Sequence, residues 1–334
     1  MKAIVLEGVQ QPLRIQETAI PTLKEGEALV RIRAAAFNRR DWWIQQGKYA
    51  GLQFPLTPGS DGVGIVEEIN GSVAARQQWL GKSVIINPSL YWQADSAAQP
   101  PTFKILGLPD PGTFAEYVKV PLENLFLQPT HLSDVEAAAL PLAGLTSYRA
   151  LFTKGKLQKG EKVLVTGVGG GVATFVLLWA THAGAEVYVT SGQTSKIEAA
   201  KKLGAAGGSN YRSEGWQDLL KAEAGGFDVI IDSALGDQFR HFPDLANPGG
   251  RIVFFGGTAG NIPELDGRKI FWKQLTIAGT TMGSAGDFAN MLAFATKHQA
   301  KPIIDSVHAL DEAEQAIRRL DDSAQFGKIV LEVR

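Results

Sequence analysis

The residues best suited to chemistry lie between Gly167 and Lys196. The run Gly167-Val168-Gly169-Gly170-Gly171-Val172-Ala173 follows an apolar stretch, Lys162 to Thr166, and precedes another, Thr174 to His182. A phosphate needs backbone N–H groups brought close to it at the start of a helix, and side chains there would hold it away. Gly167 suits the tight turn, and Gly169 and Gly170 allow the close approach. Gly171 and Val172 open the helix, and Ala173 is small enough to let it pack on its strand. The same glycines would also serve a turn that holds no ligand. A second apolar strand, Glu186 to Thr190, then closes a strand–turn–helix–strand unit of the kind that binds a dinucleotide. It ends Val189-Thr190-Ser191-Gly192-Gln193 without an Asp or Glu for ribose hydroxyls. A carboxylate would repel a 2′-phosphate, whereas Ser191 and Gln193 can donate to one and Lys196 can reach it as a cation. The expected cofactor is therefore NADP over NAD, with a solvated outer face as the alternative reading of Lys196. Asp232-Ser233 and Gly256-Gly257 end later apolar runs, where a dinucleotide crosses the C-terminal edge of a parallel sheet.

The elements that must hold these residues are legible in the patterning. Near-continuous apolar strands (162–166, 186–190, 227–232, 251–255, 275–278) alternate with helical stretches at 194–203, 216–222, 237–245 and 287–297. A short third strand falls at 207–211, and Asn247-Pro248-Gly249-Gly250 reads as a turn. Such alternation predicts a doubly wound parallel sheet covered on both faces. Residues 1–122 differ: short β-type runs at 3–6, 13–16, 27–34, 62–69, 83–87 and 114–120 are separated by turn residues. They predict an antiparallel, partly barrel-like domain. Pro88 to Pro111 is a long, weakly patterned loop. Ser133 stands three before Glu136 as a capping box, and Pro141 ends or bends the helix that follows. A further helix is expected over 144–152. The tail gives a strand at 302–306, an amphipathic helix over 310–320 and a strand at 328–333, and could rejoin the first domain. The expected division is 1–122, 123–299 and 300–334.

Composition narrows the function classes. Among 334 residues, Lys and Arg number 33 and Asp and Glu 34, a net charge of −1 that offers no footprint for nucleic acid. There is no cysteine, which excludes disulfides, thiolate nucleophiles and cysteine-bound zinc. The first seven residues read as a strand and not as a signal peptide, and no apolar run is long enough to span a membrane. A cytoplasmic location and no membrane partner are expected.

Several ordered motifs resemble the medium-chain dehydrogenase/reductase superfamily over essentially the whole chain, above all its zinc-independent, quinone oxidoreductase-like branch. They are Ala36-Phe37-Asn38-Arg39-Arg40-Asp41, Gly47-Lys48-Tyr49, Pro58-Gly59-Ser60-Asp61-Gly62-Val63-Gly64, Leu140-Pro141-Leu142-Ala143-Gly144-Leu145-Thr146-Ser147-Tyr148, the glycine cluster, and Gly327-Lys328-Ile329-Val330. The resemblance implies a Rossmann domain inserted in a discontinuous, GroES-like catalytic domain, and a homodimer formed through the edge strand near 275–280. Zinc-dependent members carry a cysteine in the early segment and a His–Glu pair after the proline-glycine turn. Here those places hold Asn38 and Ser60-Asp61, and Leu140 to Gly144 offers no ligand where a later cysteine is usual. No metal is expected.

By the same resemblance, Asn38 and Tyr49 lie near the nicotinamide and the substrate and are the catalytic candidates. Asn38 would orient the cofactor or the substrate oxygen. Tyr49 would donate a hydrogen bond or a proton, or else form an aromatic wall. Asp41 would cap the helix that begins beside it. Thr146 and Lys328 join the cofactor set, Lys328 alternatively being an exposed strand lysine. Trp42, Trp43, Tyr91 and Trp92 line an aromatic site or pack the core. Without a metal, hydride addition to a quinone or an α,β-unsaturated carbonyl is the natural chemistry, because charge delocalised onto oxygen needs only hydrogen-bond donors. An enoyl- or acrylyl-thioester reductase, with Arg39-Arg40 gripping the thioester arm, and a non-enzymatic NADPH-binding sensor are the alternatives.

Overall fold

The computed structural model describes residues 1–92 and 97–333. Part of the expected 88–111 loop, at 93–96, therefore lies outside the described residues. The chain forms two compact units, Gly144–Met282 and a second made of Met1–Ala143 with Gly283–Arg334.

The Gly144–Met282 unit is built on a six-stranded sheet. In spatial order its strands are Gly207–Asn210, Glu186–Ser191, Lys162–Val165, Phe227–Asp232, Ala246–Phe254 and Thr276–Gly279, and every neighbouring pair is parallel. The order reverses at Lys162–Val165, the first strand in sequence, and such a switch point is where this architecture binds nucleotides. Val163, Leu164, Ile230 and Ile252 are fully buried, as strands covered on both faces require. The helices Gly171–His182, Thr194–Lys202 and Trp216–Ala224 connect them.

Two elements differ from the sequence reading. Asn247 to Gly250 fall inside the strand Ala246–Phe254 rather than between elements. The register nevertheless jumps from Phe227↔Ala246 to Val229↔Arg251, so the four residues loop out of the ladder, with Gly249 at φ 76°. The 237–245 helix is a 3-10 segment, Gly236–His241, followed by the short α-helix Phe242–Leu245.

The other unit is strand-rich and joins both ends of the chain. Its main sheet runs Ile304–Ala309, Lys328–Glu332, Glu27–Ala36, Asp61–Asn70, Ser83–Ile86 and Leu125–Leu127, with Tyr117–Pro121 also pairing on Glu27–Ala36. The tail thus rejoins the first strands: Val330 pairs antiparallel with Ala36. Along Glu27–Ala36 burial alternates only over 30–34, where Arg31 and Arg33 are exposed, and the strand packs on a core containing Val30, Ile32, Phe37, Phe114 and Ile329. The amphipathic helix Ala313–Asp321 closes that core with Ala313, Ala316, Ile317 and Leu320.

Ser133 caps the helix Asp134–Ala139, its Oγ accepting from Glu136 N at 3.3 Å while Glu136 accepts from Ser133 N at 2.8 Å. That helix stops just before Pro141, as expected, and Pro141 begins a new one, Pro141–Tyr148, in the first turn, where a missing N–H costs no intrahelical hydrogen bond. A π-helical turn, Arg149–Lys154, completes the expected 144–152 helix. The helix Asp134–Ala139 packs on Glu27–Ala36 and Asp61–Asn70, and Phe126 meets Phe288 at 4.8 Å, so residues 123–143 and 283–299 group with the strand-rich unit. Among the described residues no helix is long and apolar enough to cross a membrane.

Candidate functional site

In the sheet unit, the glycine cluster is a turn pinned to the strands on either side. Val168 N donates to Thr190 O at 2.8 Å, Thr166 N donates to Ile231 O at 3.1 Å, and Thr166 Oγ1 donates to Asp232 Oδ1 at 2.5 Å. Gly167 and Gly169 sit at φ 65° and 126°, left-handed values that disfavour any side chain. Gly170 is different. Its φ of −73° suits any residue, and a Cβ built on it would meet no atom within 4 Å. The open space lies at the N-terminus of the 12-residue helix Gly171–His182, which has no side-chain cap. The first-turn N–H groups of a helix have no intrahelical partner, and such an uncapped start beside open space fits a phosphate group.

Around this turn the structure gathers most of the sequence-nominated set. The Lys196 side chain drapes over Gly169, and a Cβ there would lie 2.7 Å from Lys196 Cδ and 3.1 Å from its Nζ. Ser191 is buried at the end of its strand, and its Oγ accepts from Gln193 N at 3.3 Å. Asp232 also accepts from Ala234 N and Leu235 N at 3.1 and 2.7 Å, and burial pushes its carboxyl up against these hydrogen bonds. Ser233 packs so closely on Gly256 that a Cβ there would fall 2.6 Å from Ser233 O, while Gly257 lies against Leu235. Thr146 is buried with its hydroxyl 3.9 Å from Met282 Sδ.

Two further residues were missed by the sequence reading. A Cβ on Gly192 would lie 2.7 Å from the Tyr211 hydroxyl and 2.9 Å from Arg212 Nε. Both come from beyond the strand Gly207–Asn210, whose register against Glu186–Ser191 sets Asn210 beside Ser191. No local pattern marks them; only the pairing of that weakly patterned strand does.

The strand-rich unit holds the second cluster. Lys328 is 2% exposed and Asp61 0%. Lys328 Nζ donates to Asn38 Oδ1 at 2.7 Å and to Asp61 Oδ2 at 2.9 Å. Asn38 Nδ2 donates to Asp61 Oδ2 at 2.9 Å, and Leu142 N donates to Asp61 Oδ1 at 2.8 Å. Asp41 accepts from Asn38 N at 2.7 Å at the start of the helix Arg39–Gln45, the anchoring part expected of it. Burial pushes the Asp41 carboxyl up to about 6 against the pull of Arg40.

Arg40 is itself buried, donating to Ser60 Oγ at 2.6 Å and Leu106 O at 2.9 Å. The Tyr49 ring stands over the Arg40 guanidinium, 5.1 Å from centroid to Cζ. Arg39 donates to Leu320 O at 2.5 Å. Both arginines are thus engaged within the unit and do not form the surface patch considered for a thioester arm. Trp92 is buried against Phe103, which makes it packing, whereas Trp42 and Trp43 stack edge-on at 4.7 Å with Lys48 over both.

The local folding follows from the glycines. A Cβ on Gly59 would lie 2.5 Å from Phe114, and one on Gly112 would lie 2.0 Å from Gly59 O, so only a bare backbone permits the turn that delivers Ser60 and Asp61. Zinc does not fit here. Asn38 and Ser60 are poor zinc ligands, and the Asp61 carboxylate already holds an ammonium. Among the described residues no three His, Asp or Glu gather as metal ligands elsewhere.

Comparison with known proteins agrees with the fold of both units. Residues 24–130 match the alcohol dehydrogenase GroES-like domain and residues 171–297 the zinc-binding dehydrogenase family. The zinc-type alcohol dehydrogenase-like protein YogA of Leptosphaeria maculans is 36% identical, over 97% of this chain and 96% of its own. A crystal structure of an NAD-dependent alcohol dehydrogenase superposes with a TM-score of 0.91 at 32% identity, covering 100% of both chains. The quinone oxidoreductase of Thermus thermophilus, solved also with NADPH, gives a TM-score of 0.80 at 28% identity, over 99% of this chain and 100% of that one.

Proposed function

Because the chain belongs to the medium-chain dehydrogenase/reductase superfamily, we propose that it is an NADPH-dependent, zinc-independent reductase of quinones or α,β-unsaturated carbonyl compounds. The observation that carries this reading is the Asn38–Asp61–Lys328 cluster, in which a carboxylate holds a lysine ammonium among residues that stand, by the resemblance, where zinc-dependent members carry their ligand motifs. The bound nicotinamide supplies a hydride. Gly167, Gly169, Gly170, Gly171 and Val172 hold the pyrophosphate, and Thr146, Asp232, Ser233, Gly256 and Gly257 support the rest of the cofactor. Ser191, Gln193 and Lys196, with Tyr211 and Arg212, take the 2′-phosphate: Tyr211 and Arg212 lie against Gly192, Lys196 lies against Gly169, and no carboxylate stands at 190–193. Asn38 offers its amide N–H to the oxygen on which charge develops. Tyr49, its ring over Arg40, offers a hydroxyl from the same unit.

Hydride addition to an electron-poor carbon leaves its charge delocalised on oxygen, and a few fixed donors stabilise that charge. Alcohol oxidation, by contrast, needs a metal or a tyrosine–lysine pair to hold an alkoxide. The similarity to a quinone oxidoreductase supports the acceptor class, and the similarity to an NAD-dependent enzyme marks the competing cofactor. The proposed assembly is a homodimer through Thr276–Gly279, an edge strand of the sheet. Phe271 and Trp272, 67% and 81% exposed, stand at the end of the preceding helix.

The test is NADPH oxidation by chelator-treated protein against quinones, enones and enoyl thioesters, with NADH as control. Turnover with NADPH well above NADH, on a quinone or enone, is expected. Tight NADPH binding without turnover would replace this reading with a sensor, and preference for an enoyl thioester would replace the acceptor class.

A further inference from the structure

The disagreement between the zinc-type family and this cluster points to a specific role for the lysine. We propose that Lys328 is a resident cation and a positioning residue: it fixes and polarises the Asn38 amide so that an N–H, and not the carbonyl, is presented to the acceptor oxygen. The proposal rests on the reading of Asn38 as the group that meets the acceptor.

The chemistry of the three partners fixes the amide without ambiguity. An ammonium only donates and an ionised carboxylate only accepts. Asn38 therefore turns Oδ1 to Lys328, at 2.7 Å, and Nδ2 to Asp61, at 2.9 Å. One hydrogen of Nδ2 is spent on Asp61, and the other is the donor left for a ligand. A cation on the amide oxygen draws density from the nitrogen and strengthens that remaining donor, as linked hydrogen bonds in a low-dielectric setting do. The backbone is held as well, since Asn38 N donates to Asp41 at 2.7 Å.

The fold explains why a residue 290 positions away does this. Phe37 N donates to Ile329 O at 2.9 Å as the strand Lys328–Glu332 pairs beside Glu27–Ala36, and that register sets Lys328 next to Asn38. Lys328 is 2% exposed and its charge is matched by Asp61. Two of its three hydrogens are committed, which suits a fixed internal cation better than a phosphate ligand. A buried ion pair is seldom the most stabilising filling for its space, so its presence invites a role other than stability.

The variants are Lys328→Met, Lys328→Arg and the pair Asp61→Asn with Lys328→Met, the pair serving in case the single change leaves Asp61 unpaired and the chain unfolded. Loss of a fixed oxyanion donor lowers kcat about 10²-fold or more. We expect a loss of that order in Lys328→Met and in the pair, with partial recovery in Lys328→Arg. The NADPH dissociation constant should stay within about threefold, against the tenfold or larger change expected for a lost charged contact. Adding Lys328→Met to Asn38→Ala should cost little more than Asn38→Ala alone, because the two residues act as one unit. An unchanged kcat, fully additive losses, or a tenfold weaker NADPH complex with kcat preserved would each overturn the proposal. If the wild-type protein turns over no acceptor, the reductase reading fails first; if it turns over and Lys328→Met does too, only the inference about Lys328 fails.

Discussion

At the scale of single residues, charge placement underlies both the proposed preference for NADPH and a pH dependence of stability. Lys196 lies against Gly169 and Arg212 against Gly192, just past the strand Glu186–Ser191, so on the proposed function Lys196→Ala and Arg212→Ala should each weaken NADPH about 10- to 100-fold, the worth of a charge-assisted contact. NADH binding should be unchanged, and fluorescence titration of both cofactors checks this. Asp41 provides a second test. Its folded value of about 6 lies above the ordinary 3.8, chiefly because burial disfavours the charged form. The folded protein thus binds this proton more tightly than the unfolded chain, and the stability linked to it falls as pH rises from about 4 to about 6, then levels off. Asp41→Asn keeps an oxygen to accept from Asn38 N and removes the titration. It should gain on wild type across that window by up to about 3 kcal/mol, from roughly two units at 1.36 kcal/mol each; urea unfolding at pH 4 and pH 7 measures it. Tyr49→Phe separates the two roles of that ring. A proton donor loses about 10²-fold in kcat or more, and a pocket wall loses little.

At the scale of elements, the glycine turn contains two adjacent positions with opposite requirements. Gly169 needs its φ of 126°, and a side chain there would also displace the end of Lys196. Gly169→Ala should therefore destabilise the protein by about 1–3 kcal/mol, read as a lower melting temperature. Gly170 is free of both demands. Gly170→Ala should melt like wild type yet bind NADPH at least about tenfold more weakly, because its methyl would occupy the phosphate cradle. If Gly170→Ala binds NADPH normally, the helix start is not the pyrophosphate site. The turn was legible in the sequence because strand, glycines and helix are local and strongly periodic. The strand Gly207–Asn210, poor in apolar residues, carried little signal of what it brings: Tyr211 and Arg212 reach Gly192 only through its pairing with Glu186–Ser191.

For the whole molecule, the proposed dimer predicts that exposed surface has a partner. Trp272 is 81% exposed beside an edge strand with unpaired backbone groups. Trp272→Glu should convert a dimer to a monomer in analytical ultracentrifugation while the isolated chain keeps its far-UV circular dichroism. A wild-type protein that sediments as a monomer would refute the assembly.

The sequence by itself determined the fold class, the nucleotide-binding turn and the exclusion of cysteine-bound zinc, because these depend on local periodicity, glycine geometry and residue types that are present or absent. It also named Asn38 and Lys328, but on resemblance, and left Lys328 between a cofactor contact and an exposed strand lysine. Tertiary structure decided that Lys328 is buried on Asn38 and Asp61, that Arg40 turns inward to Ser60, and that Asp41 titrates near 6. These outcomes depend on desolvation and on contacts between residues as much as 290 positions apart, set by a register that no local pattern encodes.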